Sequence, residues 1–85
     1  MNISYHRDFK KDFKKLSDKI KRKFTEKILL FEKDEFEPVL NNHTLKGNYS
    51  GYRSINITGD LRAIYRKSSD EIMFMAIDSH SNLYG

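Results

Sequence analysis

The sequence predicts an α+β fold: a basic two-helix hairpin packed on one face of a mainly antiparallel sheet, in the order β-α-α-β-β-β. Three observations carry this. Phe9, Phe13, Leu16, Ile20, Phe24, Ile28 and Phe31 recur at spacings of three and four, the stripe of an amphipathic helix. From Gly51 the period changes to two, with Ile55 and Ile57 alternating with Ser54 and Asn56. Short turn sequences, Thr58-Gly59-Asp60 and Lys67-Ser68-Ser69-Asp70, separate the strand-like runs, so consecutive strands return antiparallel.

A short strand is expected at residues 3–6. No Gly or Pro interrupts the helical stripe, but Ser17-Asp18 supplies an N-cap signal within it. A chain this small buries more apolar surface by folding the segment back, so two helices are expected, at 7–16 and 18–33. The acidic run from Asp34 to Glu37 and then Pro38 end the second helix. Residues 34–49 are expected to form a connection of low regularity, with Asn41-Asn42-His43 and Lys46-Gly47-Asn48 as turns. Strands follow at 52–57, 61–66 and 71–77, and residues 79–85 close as a loop or a single helical turn. With no repeat, linker or low-complexity segment, one domain over 1–85 is expected.

Composition excludes several classes of protein. Hydrophobic residues are 38% of the 85, with six Phe and five Tyr, which is enough apolar material to fold despite 33% charged residues. Cysteine is absent, so no disulfide scaffold, thiolate metal site or cysteine nucleophile is available. No apolar leader or spanning segment is present, so neither membrane nor secretion is expected and the cytoplasm is the default. The net charge of +4 is unevenly placed: residues 1–33 carry 11 basic and 5 acidic side chains, whereas 34–85 carry 5 and 7. A basic helical half suits a polyanionic partner, and suits a solvated Lys-rich face equally well.

Familiar catalytic signatures are missing. There is no phosphate-binding Gly-rich loop, no GxSxG elbow and no HExxH. His6, His43 and His80 show no ligand spacing, so no metal is expected. The remaining candidates are polar residues near turns and strand ends: His43, Lys46, Asp60, Arg62, His80 and Tyr84. Such a set, without a metal, suits proton transfer and phosphate-charge stabilisation. Each also has a plain structural role open to it. His43 and Asp60 are ordinary turn residues, Arg62 can cover a sheet edge or pair with Asp78, His80 and Lys46 can be simple surface groups, and Tyr84 can dock the terminus.

Several short motifs, in order, shift that balance. They are Asn42-His43-Thr44-Leu45-Lys46-Gly47, Gly51-Tyr52-Arg53-Ser54-Ile55, Asp60-Leu61-Arg62-Ala63-Ile64-Tyr65-Arg66 and Ser79-His80-Ser81-Asn82-Leu83-Tyr84-Gly85. Together with the basic hairpin they resemble the RelE/ParE superfamily of toxins from type II toxin–antitoxin systems, most closely its YafQ-like branch. The resemblance implies a small RelE-like fold and a metal-independent endoribonuclease that cleaves mRNA on the ribosome. In that chemistry the 2′-hydroxyl attacks the adjacent phosphorus and leaves a 2′,3′-cyclic phosphate. His80 matches the general acid of the family, and His43 and Asp60 match positions that remove a proton or orient substrate. Arg62 matches the arginine that offsets phosphate charge, with Lys46 as a second cation, and Tyr84 matches a terminal aromatic that stacks on a base. Arg53, Ser54 and Asn56 fall on the strand that contacts RNA.

This chain departs from the branch at Ser54 and Asn56, where Asp and His are common, and at Thr44 and Tyr84, where Pro and Phe are. Neither Ser54 nor Asn56 is a base near neutral pH. The resemblance implies an acidic cognate antitoxin, mRNA and a 70S-type ribosome as partners, and no cofactor. The alternatives are a ParE-like toxin, which inhibits gyrase without cutting RNA, and a weakened relative that only binds RNA.

Overall fold

A computed structural model describes residues 1–79 and Asn82. The chain opens with strand β1 (Asn2–Tyr5), then helices α1 (Arg7–Lys14) and α2 (Asp18–Lys33), as the apolar stripe predicts. His6 caps α1, its Nδ1 accepting from the Asp8 amide at 3.0 Å, and Ser17 caps α2, its Oγ accepting from the Ile20 amide at 3.3 Å. The Ser17 cap is what divides the stripe into two helices.

The connection at 34–49 is more ordered than its sequence suggests. It contains two short 3-10 turns, Pro38–Leu40 and Gly47–Tyr49, and between them a two-residue strand β2 (His43–Thr44). The expected irregular stretch is corrected on this point. Its order comes from side-chain bonds to distant strands, which no local pattern reveals. Helix α2 stops at Lys33, so Pro38 opens a 3-10 turn rather than ending the helix directly. Strands β3 (Arg53–Asn56), β4 (Leu61–Ser68) and β5 (Glu71–Ser79) complete the chain. A two-residue loop joins β4 to β5, with Ser69 at a φ of 59°.

The five strands lie in the order β1-β5-β4-β3-β2, with β1 parallel to β5 and all other pairs antiparallel. Both helices cover one face. Phe9, Phe24, Ile28 and Phe31 pack there on Ile55, Ile57, Ala63, Tyr65, Ile72, Phe74 and Ile77, all buried. Phe74 is the hub, with ring centroids 5.4–6.1 Å from those of Tyr5, Phe9, Phe24, Phe31 and Tyr65.

One irregularity matters for function. Ile64 pairs with Ala76 and Tyr65 with Phe74, leaving Met75 as an extra residue in β5. Strict alternation from Phe74 would aim Ala76 and Asp78 at the core. The bulge reverses the phase, turning Ile77 inward and Ala76 and Asp78 onto the outer face.

Candidate active site

Cross-strand partners share a face of a pleated sheet, so the register assigns each candidate to a side. On the face away from the helices, one row runs His43, Ser54, Ile64, Ala76, and the next runs Asn56, Arg62, Asp78. Asp60 lies just past Arg62, exposed in the turn at the end of these rows. The fold thus brings His43, Ser54, Asn56, Asp60 and Arg62 to one end of one face. Strand spacing and rise put the Cα atoms of His43 and Arg62 about 12 Å apart.

His43 is exposed on the edge strand, and its Nδ1 lies 2.8 Å from the carbonyl oxygen of Asn41. A carbonyl only accepts, so Nδ1 carries the hydrogen and the neutral ring keeps its Nε2 lone pair. Opposite it, Ser54 is fully buried. The Oδ1 of Asn56 is buried with no hydrogen-bond partner among the described residues.

Arg62 does not pair with Asp78, its cross-strand neighbour. Its Nη1 donates to the carbonyls of Thr58 and Gly59, each at 3.1 Å, and of Leu61 at 3.3 Å. These bonds lock a guanidinium beside the turn without neutralising it. Thr58 shapes the same turn, its Oγ1 accepting from the amides of Asp60 and Leu61 at 3.3 and 3.0 Å. A cleft of about 330 Å³ opens between this turn and α2, lined by Lys23, Lys27, Val39, Ile57 and Gly59 among others.

Two candidates are not brought into this group. Lys46 is exposed at the other end of β3, beyond the Leu45 amide that donates to the Tyr52 carbonyl at 3.0 Å. Arg53 lies on the helix-facing side, opposite Tyr65. There its Nε donates to Asn42 Oδ1 at 2.7 Å, and its guanidinium sits 5.1 Å from the centroid of the Phe36 ring.

His80, Tyr84 and the rest of the closing segment, apart from Ser79 and Asn82, lie outside the described residues. Asp78 Oδ1 accepts from the Ser79 amide at 2.7 Å and from Asn82 Nδ2 at 3.2 Å, and Ser79 Oγ accepts from the Asn82 amide at 3.2 Å. Asp78 and Ser79 thus both bond Asn82, a contact the sequence reading missed. The Ser-x-x-Asn spacing, a capping pattern, is the signal that pointed to it.

Beneath β2 lies a polar cluster that the pattern did not announce. Glu35 is 8% exposed, accepting from the Tyr65 hydroxyl and from Lys67 Nζ, each at 2.6 Å. Burial pushes its carboxyl up, but the hydrogen bonds from Lys67 and Tyr65 and the charges of Lys67 and Arg53 outweigh it. The carboxyl is held below the usual carboxylate range. Burial, with Glu35 beside it, pushes the Tyr65 hydroxyl well up.

The fold recurs in solved toxin structures. YafQ from Escherichia coli shares 25% identity with this chain, covering 99% of it and 98% of YafQ, at a TM-score of 0.75. YafQ in the E. coli DinJ-YafQ toxin–antitoxin complex gives 26% identity, coverage of 99% and 97%, and a TM-score of 0.73. A YoeB/ParE toxin from Agrobacterium tumefaciens, at 21% identity and a TM-score of 0.76, covers 94% of this chain and is itself covered to 99%; it shares the fold. A search of the curated proteins gives no match. The model of the family described as the bacterial toxin of type II toxin–antitoxin system, YafQ, matches residues 1–85, and the chain therefore belongs to the YafQ family of toxins.

Proposed function

We propose that this toxin is an endoribonuclease that cleaves mRNA on the ribosome without a metal, and that an acidic antitoxin restrains it. The observation that carries this is the exposed His43 ring, its Nδ1 bonded to the Asn41 carbonyl so that Nε2 is left to act as a base, on the same sheet face as a positive, oriented Arg62. Nε2 takes the proton of a ribose 2′-hydroxyl as its oxygen bonds to phosphorus, and the resulting imidazolium stays bonded to the Asn41 carbonyl. Arg62 offsets charge on the phosphoryl oxygens. The bond from phosphorus to the 5′-oxygen breaks, and that oxygen takes a proton from His80. The products are a 2′,3′-cyclic phosphate and a free 5′-hydroxyl. Asp60, exposed in its turn, accepts a hydrogen bond from the substrate, and Asn56 and Ser54 support the strand beneath it.

The Lys-rich helices support docking to RNA. Lys23 and Lys27 line the cleft beside the turn that carries Asp60, so a backbone leaving the site continues along positive charge. DinJ in complex with YafQ supports an antitoxin partner here as well. The test is primer extension on translated mRNA with purified toxin. Cuts are expected with ribosomes present, and His43→Gln should slow cutting by about 10²–10⁴-fold. Intact mRNA at every toxin concentration would sink this reading. Loss of gyrase supercoiling in its place would identify a gyrase inhibitor.

A further inference from the structure

Strand β2 has only two residues, too few for its ladder alone to hold His43 in one place. What holds it is Asn42, the preceding residue. Asn42 Nδ2 donates to the Glu35 carbonyl at 3.0 Å and to the Tyr65 hydroxyl at 2.7 Å, and its Oδ1 accepts from Arg53 Nε at 2.7 Å. All three partners are anchored. Tyr65 is fully buried, the Glu35 carboxylate is tied to Tyr65 and Lys67, and Arg53 lies against Phe36. On the other side of Asn42, Asn41 takes a left-handed conformation with φ 46° and ψ 49°, which aims its carbonyl at His43 Nδ1. Asn adopts that conformation more readily than other non-glycine residues, and here it caps the 3-10 turn, its amide donating to the Pro38 carbonyl at 3.1 Å.

We propose that Asn42 is a positioning residue: it clamps the 41–43 backbone so that the Asn41 carbonyl fixes the ring orientation and tautomer of His43. This rests on the proposed role of His43 in cleavage. It also gives Arg53 a task other than RNA contact, since its guanidinium is the third arm of the clamp. With Asn42 truncated, only the Asn41–Pro38 backbone bond and the two-residue ladder restrain residues 41–43, so the Asn41 carbonyl shifts from Nδ1 and the ring is free to rotate and to carry its hydrogen on Nε2.

The test combines ring-nitrogen NMR of ¹⁵N-labelled toxin with single-turnover cleavage and KM. In the wild type, neutral His43 is expected to carry its hydrogen on Nδ1. Asn42→Ala should lose that preference and slow the chemical step about 10–100-fold with KM little changed. Asn42→Asp, which still accepts from Arg53, should fall between the two. A merely structural role would lower the folded fraction without moving the tautomer. Wild-type tautomer and rate in Asn42→Ala, while His43→Gln abolishes cleavage, would overturn the inference. A tautomer shift in Asn42→Ala with no cleavage by any variant would support the clamp and overturn the nuclease reading instead. Should Asn42→Ala fail to fold, the wild-type ring decides: hydrogen on Nδ1 supports the clamp, and hydrogen on Nε2 overturns it.

Discussion

Replacing Tyr65 with Phe removes one oxygen from the interior and changes no shape. That hydroxyl donates to the Glu35 carboxylate at 2.6 Å and accepts from Asn42 at 2.7 Å. A hydrogen bond to a charged group contributes roughly 1.5–3 kcal/mol and a neutral one about 0.5–1.5 kcal/mol. Part of this returns because a phenyl ring has no hydroxyl to desolvate, so the net loss is about 3 kcal/mol. For a chain of this size that lowers Tm by about 12–24 °C at pH 7. The loss should also depend on pH. The Glu35 carboxyl sits below its ordinary value in the folded state, because the bonds and charges around it outweigh burial. A carboxyl of this kind contributes stability above its unfolded value, near pH 4.3, and loses it as pH falls through the lower folded value. Tyr65→Phe deletes one of the lowering bonds, so the two proteins should differ most at neutral pH and converge in acid. Thermal melts by circular dichroism between pH 3 and 7 measure this. A Tm change under about 3 °C at pH 7, or a gap that stays constant into acid, would refute the reasoning.

Three further outcomes follow from the same structure. Phe74→Ala should cost about 3–5 kcal/mol, because the ring touches five other aromatic rings and leaves a cavity among them; a urea titration giving under ~1.5 kcal/mol would contradict its place as hub. Ser17→Ala removes the cap that accepts from the Ile20 amide and should cost about 1 kcal/mol, which Ser17→Asp restores; equal melting of all three proteins would mean that the cap contributes nothing. Arg62→Lys keeps the charge but loses the planar guanidinium that bonds the turn carbonyls through Nη1 and leaves its other N–H groups for phosphate, so kcat/KM for RNA should fall about 10²-fold; unchanged kinetics would remove Arg62 from the phosphate site.

The two helices and the last three strands were legible because their signals are local. A stripe at spacings of three and four, a capping serine at position 17 and turn sequences at 58–60 and 67–70 each act within a few residues. The segment 34–49 was not legible, since its order depends on partners far along the chain. Asn42 bonds to Tyr65, and Glu35 to Lys67, across more than twenty residues. The bulge at Met75 was hidden for another reason. Strand β5 is apolar without a break from Ile72 to Ile77, so no alternation existed there in which a skipped phase could show.

By itself the sequence determined the α+β class, the basic helical layer and a set of polar residues at turns and strand ends. Those properties follow from periodicity, capping and charge, which reside in neighbouring residues. Tertiary structure alone decided which of those residues meet. Register set His43, Ser54, Asn56 and Arg62 on one face and turned Arg53 to the other, although Arg53 and Ser54 are adjacent in the chain. The physical reason is the two-residue period of a strand: each step along it changes sides, so only pairing with neighbouring strands assembles a site.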